Sequence, residues 1–262
     1  LRLLYPLFAV LLLAGCSHDP KPQGLDLLGA SGDSEGRKVW PAPPETPRLR
    51  LAGVLKGPEN FRYPEKEKGF GEKLREWVAG LAESQSRSRK LVRPQCGMVD
   101  RHGRILVTDI GRMAVAVFDP EKGLSFWTQA RDGQAFRSPI GIAPGPEGGY
   151  LVADAELGYI ARLDSSGKPA GVWGGGELGR PTGLAWNAAH EELFVADSGA
   201  NRIAVLDGKG RLERSLGGPG TEKGRFNGPT HLAFRNQQLY VTDTLNARVQ
   251  VLDRQGRHLR TI

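Results

Sequence analysis

From residue 94 to residue 262 the hydrophobic positions fall in short runs, cut by turn signals such as Arg101-His102-Gly103, Gly145-Pro146-Glu147-Gly148 and Asp207-Gly208-Lys209-Gly210. Short strands that are apolar on both faces are expected where sheet stacks on sheet. The runs also repeat. Aligned on the aspartate that closes the second run, they read Leu106-Val107-Thr108-Asp109, Leu151-Val152-Ala153-Asp154, Phe194-Val195-Ala196-Asp197 and Tyr240-Val241-Thr242-Asp243, with spacings of 45, 43 and 46 residues. Each unit opens on a proline (Pro94, Pro139, Pro181, Pro229), and its third run ends on another aspartate (Asp119, Asp164, Asp207, Asp253). Such a period, with about four strands per unit, predicts radial blades that bury their faces against one another. The fold class expected is all-β, a β-propeller of four-stranded blades with four blades visible over 94–262.

The pattern ahead of the repeats is different. Leu3 to Ala14 is mostly apolar, follows Arg2 and ends in Leu13-Ala14-Gly15-Cys16. This resembles a bacterial lipoprotein signal peptide and lipobox over residues 1–16, which implies lipidation of Cys16 and attachment to the membrane through that lipid. The alternative, a hydrophobic anchor with an incidental cysteine, meets the difficulty that about a dozen apolar residues cannot cross a bilayer core of ~30 Å. Ser17, rather than aspartate, follows the cysteine, which points to the outer membrane facing the periplasm. Residues 17–47 are polar and rich in Pro and Gly, without apolar periodicity, and are expected to form a disordered tether.

The domain proper is expected over 48–262. Residues 48–57 alternate as one strand with no hairpin partner nearby, expected to complete the sheet of the last blade. Phe70, Leu74, Trp77, Val78 and Leu81 predict an amphipathic helix over 69–84, to pack on the propeller or lie in a membrane interface.

The third and fourth units carry a family resemblance. Arg180-Pro181-Thr182-Gly183-Leu184-Ala185 followed by Leu193 to Asp207, and Gly228-Pro229-Thr230-His231-Leu232-Ala233-Phe234 followed by Tyr240 to Asp253, resemble NHL repeats. The first two units lack the Asn-and-Arg element before the third strand (Asn201-Arg202, Asn246-Ala247-Arg248). The resemblance implies a six-bladed ring, so four units and one orphan strand point to a truncated sequence. A closed four-bladed ring is the alternative.

Composition and chemistry add less. Gly (36) and Pro (18) make up about a fifth of the chain, as many turns require. The net charge of +7 divides into 15 basic and 11 acidic residues before Leu91 and 21 and 18 after it. Interspersed signs without aromatic interleaving argue against a nucleic-acid interface. Of five histidines, only His231 sits in a first strand where it can approach a channel, and it is the one low-ranking candidate for ligand binding. His231 and Cys96 stand in the register held by Gly141 and Gly183. The four repeat aspartates, Asp109, Asp154, Asp197 and Asp243, could bind a hard cation, but repetition in every blade favours local structural bonds to backbone or to Arg202 and Arg248. No catalytic residue, cofactor or metal is expected from the sequence. The function expected is a lipid-anchored binding or scaffolding module for a protein, peptide or glycan at the cell envelope. The alternative is a metal-dependent lyase or lactonase using the channel of the complete ring.

Overall fold

The protein is described here by a computed structural model that covers residues 21–27, 39–42, 44–51, 53–63 and 89–262. Cys16 and the helix expected over 69–84 lie outside the described residues.

Residues 94–262 form four antiparallel four-stranded sheets, each in simple up-and-down order. After four two-residue strands β1 (Gly24–Leu25), β2 (Val39–Trp40), β3 (Leu49–Arg50) and β4 (Phe61–Arg62), the first blade holds β5 (Pro94–Val99), β6 (Ile105–Asp109), β7 (Ala114–Asp119) and β8 (Gly123–Trp127). The hairpin of β9 (Gln129–Arg131) and β10 (Gln134–Ala135) leads to the second blade: β11 (Pro139–Pro144), β12 (Tyr150–Asp154), β13 (Tyr159–Leu163) and β14 (Pro169–Trp173). The third blade is β15 (Pro181–Asn187), β16 (Glu192–Asp197), β17 (Arg202–Leu206) and β18 (Leu212–Gly217); the fourth is β19 (Pro229–Arg235), β20 (Gln238–Asp243), β21 (Arg248–Asp253) and β22 (His258–Thr261).

The prolines that open the units have a mechanical reason to be there. Each is the first residue of its inner strand, opposite the repeat aspartate, and the register shifts immediately after it, so no ladder hydrogen bond is lost. Between blades lie three apolar cores. Leu106, Val115 and Val117 meet Tyr150, Val152, Ala161 and Leu163 between the first and second. Leu151, Ala153 and Ile160 meet Leu193, Val195 and Leu206 between the second and third. Phe194, Ile203 and Val205 meet Leu239, Val241 and Leu252 between the third and fourth, where Phe194 stacks on Phe234 at 5.1 Å between ring centroids.

Consecutive inner strands run side by side. They come closest at two glycines, where a Cβ on Gly141 would lie 2.0 Å from the Thr182 carbonyl oxygen and one on Gly183 2.5 Å from that of Thr230. Space, and not backbone conformation, selects glycine at both. His231 occupies the same register on the fourth blade, where no described strand crosses it, so its side chain is free to be large and is exposed.

The segment ahead of the blades departs from expectation in two ways. Among the described residues the strand expected over 48–57 is limited to Leu49–Arg50, and it pairs with Val39–Trp40 and not with the last blade, which completes its own sheet with β22. Within the stretch expected to be a disordered tether, Gly24–Leu25 pairs with Arg62 and Phe61. The physical reason is the free face of the first blade. Phe61, with Leu25, Leu55 and Leu91, covers Val107, Ala116, Phe118 and Leu124 there, and the Phe61 and Phe118 rings stack at 6.1 Å. A terminal repeat needs such a cover for its apolar side. Asn60 holds the cover together, its side chain accepting from the Lys56 and Gly57 amides and donating to the Asp26 and Val54 carbonyls.

Candidate binding face

The chemistry-bearing residues picked out by the repeats are buried in structural bonds. Asp109 accepts from the Val92 and Arg93 amides at 2.6 and 2.9 Å. Asp154 accepts from Arg137, Ser138, Glu156 and Leu157, all through backbone N–H groups. Asp197 takes the Gly179 and Arg180 amides, and Asp243 the Asn227 amide. Each carboxylate thus ties the end of its second strand to the segment entering the inner strand of the same blade. In the last two blades an arginine joins in. Arg202 reaches Asp197 at 3.1 Å and the Glu177 carbonyl, and Arg248 reaches Asp243 at 2.8 Å and the Thr221, Glu222 and Arg225 carbonyls. Ala114 and Tyr159 stand at that position in the first two blades, which therefore lack the second tie.

The structure does not bring the four aspartates together. Among the described residues no group of three or more His, Cys, Asp or Glu side chains is placed to hold a metal ion. His231 stands alone on the exposed side of the fourth blade, its Nδ1 3.0 Å from the Thr230 hydroxyl. Cys96 is half-buried beside the core between the first two blades.

What the repeat does leave exposed is a polar rim. Most turns between third and fourth strands follow one design: Asp164-Ser165-Ser166-Gly167-Lys168, Asp207-Gly208-Lys209-Gly210-Arg211 and Asp253-Arg254-Gln255-Gly256-Arg257. The aspartate Oδ1 accepts from the amides two and four residues on, and glycine takes the left-handed position that closes the turn. In the last two turns the arginine side chain also returns to the aspartate. Burial is the largest single influence on the Asp207 and Asp253 carboxyls and raises them, but the backbone and arginine bonds together outweigh it and lower them; at Asp164 the Ser166 hydroxyl leads the lowering.

Two larger recesses open on this rim, beside a smaller one of about 160 Å³ between Met98–Arg101 and Pro144–Tyr150. One, of about 360 Å³, lies where the first and second blades meet and is lined by His102, Arg104, Asp119, Lys122 and Ser165. The other, of about 410 Å³, lies where the third and fourth meet and is lined by His190, Glu192, Asp207, Arg211, Glu213 and Arg254. Each has a floor built by a charged residue at the same register, just ahead of the second-strand core, reaching into the next blade. Arg104 donates to Asp100 at 2.7 Å, to the Tyr150 hydroxyl at 2.6 Å and to the Ser165 carbonyl at 3.0 Å. Tyr150 in turn donates to Asp100 at 2.8 Å. Two guanidiniums hold the buried Glu192 carboxylate: Arg254, through a bidentate pair at 2.6 and 2.8 Å, and Arg214 at 2.9 Å. These clusters were not legible in the repeat alignment, because they use positions where the four units differ. The available signal was Tyr150, a phenol at a register filled by Leu193 and Leu239 elsewhere.

The first cluster has a measurable signature. Burial alone would raise the Asp100 carboxyl, but bonds from Tyr150 and Arg104 outweigh it and hold the group at about 2. Its folded pKa is therefore below its unfolded one, so its contribution to stability is complete above pH ~4 and is lost as pH falls toward ~2. Asp100→Asn should melt below the parent at pH 7, and the gap should shrink when both are melted at successively lower pH through that window. A gap constant with pH would contradict the assignment.

Four four-stranded sheets, arranged radially with glycine-spaced inner strands and bonded polar turns on one rim, define a β-propeller. The chain belongs to the NHL-repeat family within that class. It is 35% identical over 89 residues to human NHL-repeat-containing protein 4, a match covering 34% of this chain and 68% of that protein. Over 152 residues it is 34% identical to bovine NHL repeat-containing protein 2, covering 45% of this chain and 21% of the relative. Against the human NHL repeat-containing protein 2 the match spans only 11% of that relative's length, at 33% identity over 79 residues. No protein-family model matches the chain. Among solved structures, a chain of the nidogen/laminin complex superimposes with a TM-score of 0.54 at 21% identity, covering 66% of this chain and 64% of that one. Virginiamycin B lyase from Staphylococcus aureus superimposes with a TM-score of 0.50 at 15% identity, covering 64% and 55%. At these identities the two structures share the fold with this chain.

Proposed function

We propose that this chain is a lipid-anchored binding module of the bacterial cell envelope, attached through Cys16, whose polar rim engages a protein, peptide or glycan. The observation that carries the binding role is the pair of recesses on one rim. Both are lined by hydrogen-bonding and charged side chains of both signs, and both have floors fixed by buried ion pairs. A pre-ordered polar surface of this kind suits a ligand rich in hydroxyl, amide or carboxylate groups, and binding residues concentrate on turns held by a rigid scaffold. The nidogen/laminin structure, a propeller in a protein complex, supports the same use of the fold by analogy. The anchor rests on the Leu13-Ala14-Gly15-Cys16 sequence.

Two experiments separate the parts. Metabolic labelling with an alkynyl fatty acid, followed by fractionation, should place the parent in the membrane fraction with label, and Cys16→Ala without it. An unlabelled parent in the cytosol would end the lipoprotein reading. For the rim, a chain that carries about one equivalent of metal, and whose activity disappears with a chelator, would replace the binding module by a channel lyase or lactonase.

A further inference from the structure

The two rims of the arc expose different chemistry. The eight turns of the polar rim (100–104, 120–122, 145–149, 164–168, 188–191, 207–211, 236–237, 254–257) contain no Val, Ile, Leu, Met or aromatic residue, and the large apolar side chain that stands out beside them is Val99 at the end of β5, 66% exposed. The opposite rim consists of the turns between second and third strands (110–113, 155–158, 198–201, 244–247) and the segments entering the inner strands (89–93, 128–138, 174–180, 218–228). There Val92, Met113 and Leu245 are 57%, 52% and 70% exposed.

These tips are held in place. The Val92 amide donates to Asp109, and its side chain lies over Gly111, where a Cβ would come within 2.6 Å of it. Met113 ends the same turn, its amide donating to the Ile110 carbonyl. Leu245 sits in the 3₁₀ turn Thr244–Asn246, its amide bonded to the Asn227 carbonyl and its side chain standing over Gly228.

Around the tips the rim is basic. Its eight segments contain nine Lys and Arg against four Asp and Glu, whereas the polar rim has eight against six. The repeat aspartates at this end are turned inward onto backbone amides and are fully buried. Arg93, Arg180, Lys223 and Arg225 are exposed between and beside the tips.

Single apolar side chains standing out from a basic surface are the chemistry that an anionic lipid interface recognises. The cations meet headgroups, and the tips enter the boundary with the acyl chains. A folded acidic partner would pair the cations equally well, but it would call for one contiguous apolar patch at its centre, whereas here Val92 and Met113 stand at one turn of the first blade and Leu245 stands apart on the fourth. We propose that this rim rests on an anionic membrane surface, with the polar rim turned away from it. The proposal stands on the rim alone and needs no lipid at Cys16.

The test must see the rim whatever else holds the chain to lipid. A tryptophan is added to the full chain at Met113→Trp, at Leu245→Trp, or at Glu121→Trp on the polar rim, and each variant is mixed with phosphatidylserine-containing vesicles whose acyl chains are brominated. The added emission at 113 and 245 should be quenched at least roughly two-fold more than that at 121, as expected for side chains at the acyl boundary. Equal quenching at all three positions, or none while the chain sediments with the vesicles, would overturn the proposal; the latter result is the one expected if the rim instead serves an acidic protein. As a second arm, Arg93→Glu with Arg180→Glu should weaken partition onto phosphatidylserine vesicles by about five-fold for each charge removed, with no change on pure phosphatidylcholine. Unchanged partition of a variant whose thermal unfolding matches the parent would also overturn it.

Discussion

Asp243→Ala is expected to destabilise the domain by about 3 kcal/mol, read as a fall in the urea midpoint at unchanged slope. The carboxylate is fully buried and receives the Asn227 amide, the Asn246 and Gln250 side-chain amides and the Arg248 guanidinium, all within 3.1 Å. Removing it leaves four donors without their acceptor. Truncating one partner of a buried charge pair costs about 3–5 kcal/mol, and the lower end applies because Arg248 keeps three backbone carbonyls and is partly exposed. Asp243→Asn retains one acceptor oxygen and should lose less. A metal-ligand role for this residue predicts the opposite pattern: both variants would lose a bound ion, and the apo proteins would have similar midpoints.

Gly141→Ala should cost at least as much, about 3 kcal/mol, because the added carbon would stand 2.0 Å from the Thr182 carbonyl oxygen of the next inner strand. A backbone atom of a packed strand has no rotamer by which to yield. Accommodation requires the second and third blades to move apart, which opens the core between Leu151 and Leu193. Gly97→Ala is the control, on the equivalent strand of the first blade, where the nearest atom is 3.5 Å away and ordinary contact results. Its midpoint should stay within about 1 kcal/mol of the parent. If both substitutions were tolerated equally, the inner strands would not be side by side as described.

These two sites also show what the sequence made legible. The blades could be read because stacking sheets demands the same thing four times: apolar second and third strands, a proline where the ladder shifts, and an aspartate where a turn needs an acceptor. Gly141 and Gly183 stood in that register, but the reason for glycine there is a carbonyl from the neighbouring blade, which no single repeat contains. His231 and Cys96 are the two odd residues of the same column. The structure gives His231 room without giving it chemical neighbours beyond Thr230. The segment ahead of Leu91 was misread over 48–57 for a related reason. Two-residue strands carry almost no periodicity, and Phe61 looks like any aromatic until Phe118 is placed beneath it. The recess floors escaped because Arg104 with Tyr150, and Glu192 with Arg254, are pairs between blades at positions where the repeats disagree.

The central claim is that the rim carrying the two recesses is the binding face. Photo-crosslinking in intact cells tests it most directly, with a benzophenone amino acid placed singly at Glu121 and Arg211 beside the recesses, and at Ala200 on the other rim. The expected result is a discrete protein or glycoconjugate adduct from Glu121 and Arg211 that Ala200 does not give. Adducts from Ala200 alone, or the same products from all three positions, would contradict it.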